Sequence, residues 1–239
     1  MVRSSIRLMT GAIAVACLTS AAVALPPYSE DFSTGIAGWR YTTANAVPLV
    51  AVPTGGAVDN GAYIRNNLAT LAGSPQAPTT ALLFRAQQNY AGIDLDYTGD
   101  WIAAGVREVH AWVRHNVPDP LAFIGRFATG ANSPAAFYTQ TTLVAPNAWT
   151  EIVFDVTPTS PLLTSYEGGS HQSVFQNFDN SGIGNMQFGV SVPNALLNTG
   201  PYVFEFDNVS IVTPEPATGV LAVLSVAGLG MMARRKSRG

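Results

Sequence analysis

Three side chains spaced two residues apart, His110, Trp112 and Arg114, have the pattern that chemistry on a β-strand requires. Alternate residues of an extended chain share a face, so an imidazole, an indole and a guanidinium project together. An aromatic ring beside hydrogen-bond donors is what a sugar site uses. C–H faces stack on the ring, and hydroxyls exchange hydrogen bonds with the polar groups. Arg126, on the segment expected to return as the neighbouring strand, extends the set. The same alternation fits a second arrangement, in which Trp112 fills a core face and its charged neighbours lie at the rim.

The constellations of common catalysts do not occur. Asp94, Asp96 and Asp100 are clustered as a glycosidase pair would need, but they sit in a Gly- and Tyr-rich stretch that reads as an exposed loop. There is no Gly-x-Ser-x-Gly elbow for a hydrolase nucleophile. His110, His115 and His171 have no zinc-binding spacing. Cys17 is the only cysteine. The reading is a protein that is not an enzyme. The alternative is a secreted carbohydrate-active or other hydrolase with an unrecognised site.

The elements that must position these residues are short. Apolar runs are brief and bounded by Gly, Pro, Asn and Ser, with no long amphipathic helical period, which reads as all-β. Strands are expected over 47–52, 62–65, 82–85, 106–115, 121–127, 137–142, 150–156, 186–192 and 202–212. Val109, Ala111 and Val113 form the apolar side of the clearest strand, and Pro118-Asp119-Pro120 makes the turn after it. Phe32 and Trp39 are expected in the core, and 157–184 reads as a long polar loop with at most a short helical turn over 173–178. Nine or ten such strands imply a two-sheet sandwich in a single domain, residues 25–213.

The two ends differ in kind. Arg3 and Arg7 precede an apolar run from Leu8 to Leu18, and Ala22-Val23-Ala24 is a small-x-small cleavage site, so residues 1–24 read as a signal peptide helix. At the other end Pro214-Glu215-Pro216 is followed by an uncharged run from Ala217 to Ala233, then Arg234-Arg235-Lys236. That run is at the lower edge of the roughly 17–25 residues a transmembrane helix needs, and its basic flank sets the orientation. Between the two ends stand six arginines, no lysine and fourteen acids, a formal charge of −8. Such a body has no basic patch of the size that nucleic acid requires.

The tripeptide, the weak transmembrane segment and the basic end, in this order over residues 214–239, resemble the PEP-CTERM sorting tail. The resemblance implies recognition by an exosortase-type membrane protease, removal of the tail, and delivery to the cell surface or extracellular matrix of a bacterium. A simple C-terminal membrane anchor is the alternative.

A second resemblance covers most of 29–212. Glu30-Asp31-Phe32 leading to Trp39, the strand Trp149 to Asp155, and Phe206-Asp207-Asn208-Val209 look like the jelly-roll sandwich of carbohydrate-binding modules and laminin B-type domains. The implied fold is an all-β, jelly-roll-like two-sheet β-sandwich flanked by the signal and transmembrane helices. The resemblance also implies a structural calcium ion held by Glu30 or Asp31 and by Asp207, since Ca²⁺ takes hard oxygen ligands from carboxylates and backbone carbonyls. The alternative is that these acids cap turns or pair with Arg40. The function expected is an exported, non-catalytic binding or structural module at the cell surface, with a polysaccharide as its ligand.

Overall fold

The computed structural model describes residues 28–42, 47–74, 77–165 and 182–213. Eleven strands make up nearly all of its regular structure: β1 (Ser29–Glu30), β2 (Val50–Val52), β3 (Tyr63–Leu68), β4 (Thr80–Gln87), β5 (Glu108–His115), β6 (Phe123–Ala128), β7 (Ala135–Thr139), β8 (Thr150–Asp155), β9 (Leu163–Ser165), β10 (Asn185–Ser191) and β11 (Tyr202–Val212). One turn of helix, α1 (Trp101–Ala104), lies between β4 and β5. The strands form two antiparallel sheets. The first has the order β2-β3-β11-β5-β8, with β1 also paired to β11; the second has the order β4-β10-β6-β7-β9. This is a jelly-roll-like β-sandwich.

Each sheet turns its apolar side inward. In β5 buried and half-buried residues alternate along the whole strand, with Val109, Ala111 and Val113 in the core. β11 contributes Phe204 and Phe206 in the same way. Between the sheets the aromatic rings interlock. Phe84 of β4 stacks on Phe206 of β11 with centroids 4.7 Å apart, and Trp39 lies 6.0 Å from Phe188 and 5.3 Å from Phe206. Phe32 and Trp39 are buried, as expected from the sequence. Fully burying a large apolar side chain is worth about 1.5–3 kcal/mol, so this cluster is the main tie between the sheets. Asn66 adds a polar tie, donating from its amide on β3 to the Leu83 carbonyl on β4 at 2.9 Å.

Two elements depart from the expected order. The segment after Pro118-Asp119-Pro120 does not return beside β5. It crosses to the other sheet, where β6 pairs with β10 and β7. Within the stretch read as one long loop, Leu163–Ser165 forms β9 against β7. The helical turn expected over 173–178 lies outside the described residues.

Candidate functional site

His110, Trp112 and Arg114 do share one face, the outer face of the first sheet. Trp112 belongs to this face and not to the core cluster, so the arrangement with Trp112 inside is not the one adopted. The polar members, however, are engaged within the protein. His110 holds Glu151 through Nδ1 and Glu108 through Nε2, both at 2.9 Å. Two carboxylates on the two ring nitrogens need two N–H donors, which only the imidazolium supplies. Burial pushes the His110 pKa down, but the hydrogen bonds to Glu151 and Glu108 outweigh it and leave it above its ordinary value.

Arg114 donates from Nε to Glu205, which also receives Arg65 at 2.7 Å. The Arg114 guanidinium carbon lies 4.5 Å from the Trp149 ring centroid. Burial pushes the Glu205 carboxyl up, but hydrogen bonds from Arg114 and Arg65 hold it below the usual carboxylate range. The charged groups of this face are thus paired with one another, beside two half-buried indoles, Trp112 and Trp149.

Arg126 is not part of it. It lies on β6, in the other sheet, so the four residues grouped by sequence are divided between opposite faces of the sandwich. The cause is the crossover through Pro118-Asp119-Pro120.

On its own sheet Arg126 belongs to a row that the sequence reading did not assemble. Antiparallel register sets Arg85 of β4 opposite Gln187 of β10, Gln187 opposite Arg126 of β6, Arg126 opposite Phe137 of β7, and Phe137 opposite Thr164 of β9. Directly opposed residues share a face. The row therefore runs straight across the outer face of the second sheet. It forms the floor of an open groove of about 450 Å³. Ser74, Ala77, Thr80 and Leu82 wall one end, and Asn132 and Ser133 the other.

The floor is fixed in place. Asn132, at φ 68° in the β6–β7 connection, is in the left-handed region that Asn tolerates. Its Oδ1 accepts from Arg126 Nη1 at 2.7 Å and from Gln187 Nε2 at 3.0 Å, and its carbonyl accepts from Arg126 Nη2 at 2.7 Å. The Arg126 guanidinium carbon lies 5.9 Å from the Phe137 ring centroid. At the other end of the row Arg85 has no side-chain ion pair among the described residues, and its Nε is buried without a hydrogen-bond partner. Burial draws its pKa down. Arg40 exchanges backbone hydrogen bonds with Arg85 at 3.0 and 2.8 Å, and its guanidinium carbon sits 4.3 Å from the Tyr90 ring centroid.

A half-buried aromatic ring flanked by guanidinium and amide donors is the chemistry sought on β5, found instead on the second sheet. The signal available in the sequence was the alternation of long polar residues, Arg85 and Gln87 on one strand and Asn185 and Gln187 on another, with buried apolar ones.

The acids named for calcium lie near the paired first and last strands without converging on one point. β1 pairs with β11 at Val209 and Ser210, two and three residues past Asp207. The Asp31 charge acts on both Glu30 and Asp207, though burial is the main reason both carboxyls are pushed up. Glu30 accepts from Phe32 N at 2.7 Å and Asp31 from Ser33 N at 2.9 Å. Neither pairs with Arg40. Asp207 accepts from Ala57 N at 2.7 Å through Oδ2, while Oδ1 is buried without a partner. An orphaned, buried carboxylate oxygen fits a cation ligand. Among the described residues no three His, Cys, Asp or Glu side chains converge, so backbone carbonyls would have to complete the shell.

Asp94, Asp96 and Asp100 are exposed, and Asp94 and Asp100 cap local turns. The signal-cleavage residues Ala22 and Ala24 and the sorting residues Pro214, Glu215, Pro216, Arg234, Arg235 and Lys236 lie outside the described residues. So does the expected span 217–233; no helix among the described residues is long and apolar enough to cross a membrane.

No protein-family model and no curated protein matches the chain. Solved structures do. One is the N-terminal endo-1,4-β-D-xylanase 10B of Clostridium thermocellum, with its CBM22-1 and GH10 modules, complexed with xylohexaose. It matches at TM-score 0.44 and 14% identity over 77% of this chain and 28% of that one. Another is a CBM22 tandem domain from a Paenibacillus barcinonensis xylanase, at TM-score 0.47 and 14% identity over 85% and 52%. A third is the family 11 carbohydrate-binding module of a Clostridium thermocellum cellulosomal cellulase, at TM-score 0.43 and 12% identity over 80% and 96%. The chain thus spans between about a quarter and a half of the first two.

Proposed function

We propose that this chain is an exported, non-catalytic carbohydrate-binding module that holds a polysaccharide in the groove on its second sheet. The observation that carries this reading is the transverse row Arg85–Gln187–Arg126–Phe137 on the groove floor. Phe137 offers a ring face for sugar C–H groups, and the guanidinium and amide groups offer donors for hydroxyls. No Asp or Glu is among the described residues lining the groove, so they supply no acid–base pair for glycosidic cleavage. Export rests on the N-terminal signal pattern with Ala22 and Ala24 at the cleavage site. Handling by an exosortase-type protease rests on Pro214-Glu215-Pro216 and the basic end.

The test is retention of the full chain on a panel of polysaccharides, with released reducing ends measured in parallel. Retention without product is expected, lost in Phe137→Ala and Gln187→Ala and kept in Trp112→Ala. Loss only in Trp112→Ala would move the site to the first sheet. Steady release of product would make the protein a hydrolase.

A further inference from the structure

Charge is divided between the two sheets. The strands of the first sheet carry six acids, Glu30, Glu108, Glu151, Asp155, Glu205 and Asp207. The five strands of the second sheet carry none, and their only charged residues are Arg85 and Arg126. This is unusual in a body of charge −8.

The arginines differ in the same sense. On the first sheet Arg65 and Arg114 are both ion-paired to Glu205, which they share. On the second, Arg85 has no carboxylate partner among the described residues, although its Nε is buried. Desolvating a guanidinium without a counter-charge costs stability. A desolvated, uncompensated cation in a groove marks a candidate functional site, and the charge it lacks is that of an anion. From these observations we infer that the groove takes an acidic polysaccharide, one whose sugars bear carboxylate or sulfate groups, with Arg85 as the principal anion contact. This rests on the carbohydrate reading of the groove and narrows its ligand class.

The geometry fits a polymer. Arg85 and Arg126 stand two strands apart, about 10 Å at the usual inter-strand spacing of about 4.8 Å, with Gln187 between them. Arg85 reads a charged group on the chain, Gln187 faces a hydroxyl, and Arg126, held by Asn132 through Nη1 and Nη2, adds positive charge beneath the groove. A guanidinium accepts a carboxylate or a sulfate through two parallel N–H donors. Arg40, adjacent to Arg85, adds a third positive charge at the edge of the sheet. The acids elsewhere on the body repel a polyanion at long range. Salt near 0.1 M, where the screening length is about 10 Å, suppresses that repulsion more than it weakens contacts inside the groove.

The experiment compares binding of the full chain to polygalacturonate, to the same polymer after methyl esterification, to dextran sulfate, to neutral xylan and β-glucan, and to single-stranded DNA. Polygalacturonate or dextran sulfate is expected to bind at least tenfold more tightly than the esterified and neutral polymers. The two charged arms tell carboxylate from sulfate. Arg85→Gln is expected to remove that preference with its melting temperature unchanged or raised, and Arg85→Lys to keep part of it. Equal binding of charged and neutral polymers, unaffected by Arg85→Gln, would overturn the acidic ligand and leave the carbohydrate reading standing. DNA bound as tightly as the best polysaccharide would overturn it in favour of unspecific polyanion binding. Retention on no polysaccharide would overturn both.

Discussion

Asp207 and Ala57 are joined by a 2.7 Å hydrogen bond that satisfies one carboxylate oxygen of Asp207 and leaves the other buried without a partner. The bond ties β11 to the Gly55–Val58 turn, and the approach is close: a side chain at Gly56 would put its Cβ 2.6 Å from Oδ2. The free Oδ1 is where a calcium ion would act. Addition of Ca²⁺ at about a hundredfold over its dissociation constant is expected to raise stability by about 2.7 kcal/mol, read as a higher melting temperature that chelation reverses. Asp207→Asn should abolish the shift. A melting temperature indifferent to Ca²⁺ in the parent protein would remove calcium from this site.

Without metal the same carboxylate has a characteristic pH response. Burial raises its folded-state pKa above the unfolded value. The folded protein then binds the proton more tightly, so its stability falls as pH rises from the unfolded value, about 3.9, through the raised one. Asp207→Asn, which cannot ionise, is expected to lack this fall. In chelator its stability relative to the parent should improve between about pH 4 and neutrality, as measured by urea unfolding at each pH.

Glu205 has the opposite sign. Its folded pKa is depressed because Arg114 and Arg65 outweigh the effect of burial. The stabilisation is present above the unfolded value, about 4.3, and is lost as pH falls through the lower folded one. Glu205→Gln keeps the shape but leaves two guanidinium groups without a counter-charge, at a cost of about 2 kcal/mol at pH 7. The difference between parent and variant should shrink below about pH 4. A pH-independent difference would mean that shape, and not charge, holds this face together.

His110 supplies the third pH signature. Its folded pKa is raised by Glu151 and Glu108 against the pull of burial. Its contribution is full below the unfolded value, about 6.5, and disappears as pH rises through the higher folded value. The three side chains are partly exposed, so the effect is under about 1 kcal/mol. His110→Gln should lower stability at pH 6 and have little effect at pH 9, and high salt should reduce the difference at the lower pH. An equal loss at both values would place the role of His110 in packing.

Much of the sandwich was legible because it depends on a period of two. Val109, Ala111 and Val113 alternate with His110, Trp112 and Arg114 in the sequence, and β5 turns those two sets to opposite sides. The last strand, 202–212, has the expected limits for the same reason. The groove was not legible because it depends on register between distant segments. Arg85, Gln187, Arg126 and Phe137 come from four strands, and nothing local to any of them says which residue stands opposite. The turn at Pro118-Asp119-Pro120 reads the same whether the chain doubles back or changes sheet. That ambiguity joined Arg126 to the wrong face. β9 was missed because three residues give too few alternations to stand out from a polar loop.

The core interlock gives the largest effect on stability. Phe206 touches Phe32, Trp39, Phe84 and Phe188, with the Phe84 ring nearly parallel at 11° and the Phe188 centroid 4.9 Å away. Its partners come from the opposite sheet and from the segment after β1, so no single neighbour can move to fill the space. Phe206→Ala is therefore expected near the upper end of the 3–5 kcal/mol that such truncations cost, about 5 kcal/mol. Phe206→Leu, which keeps most of the volume, should cost less than half as much. Chemical unfolding of the two variants checks this. Equal losses would mean that ring stacking, and not filled volume, is what Phe206 provides, because leucine restores the second without the first.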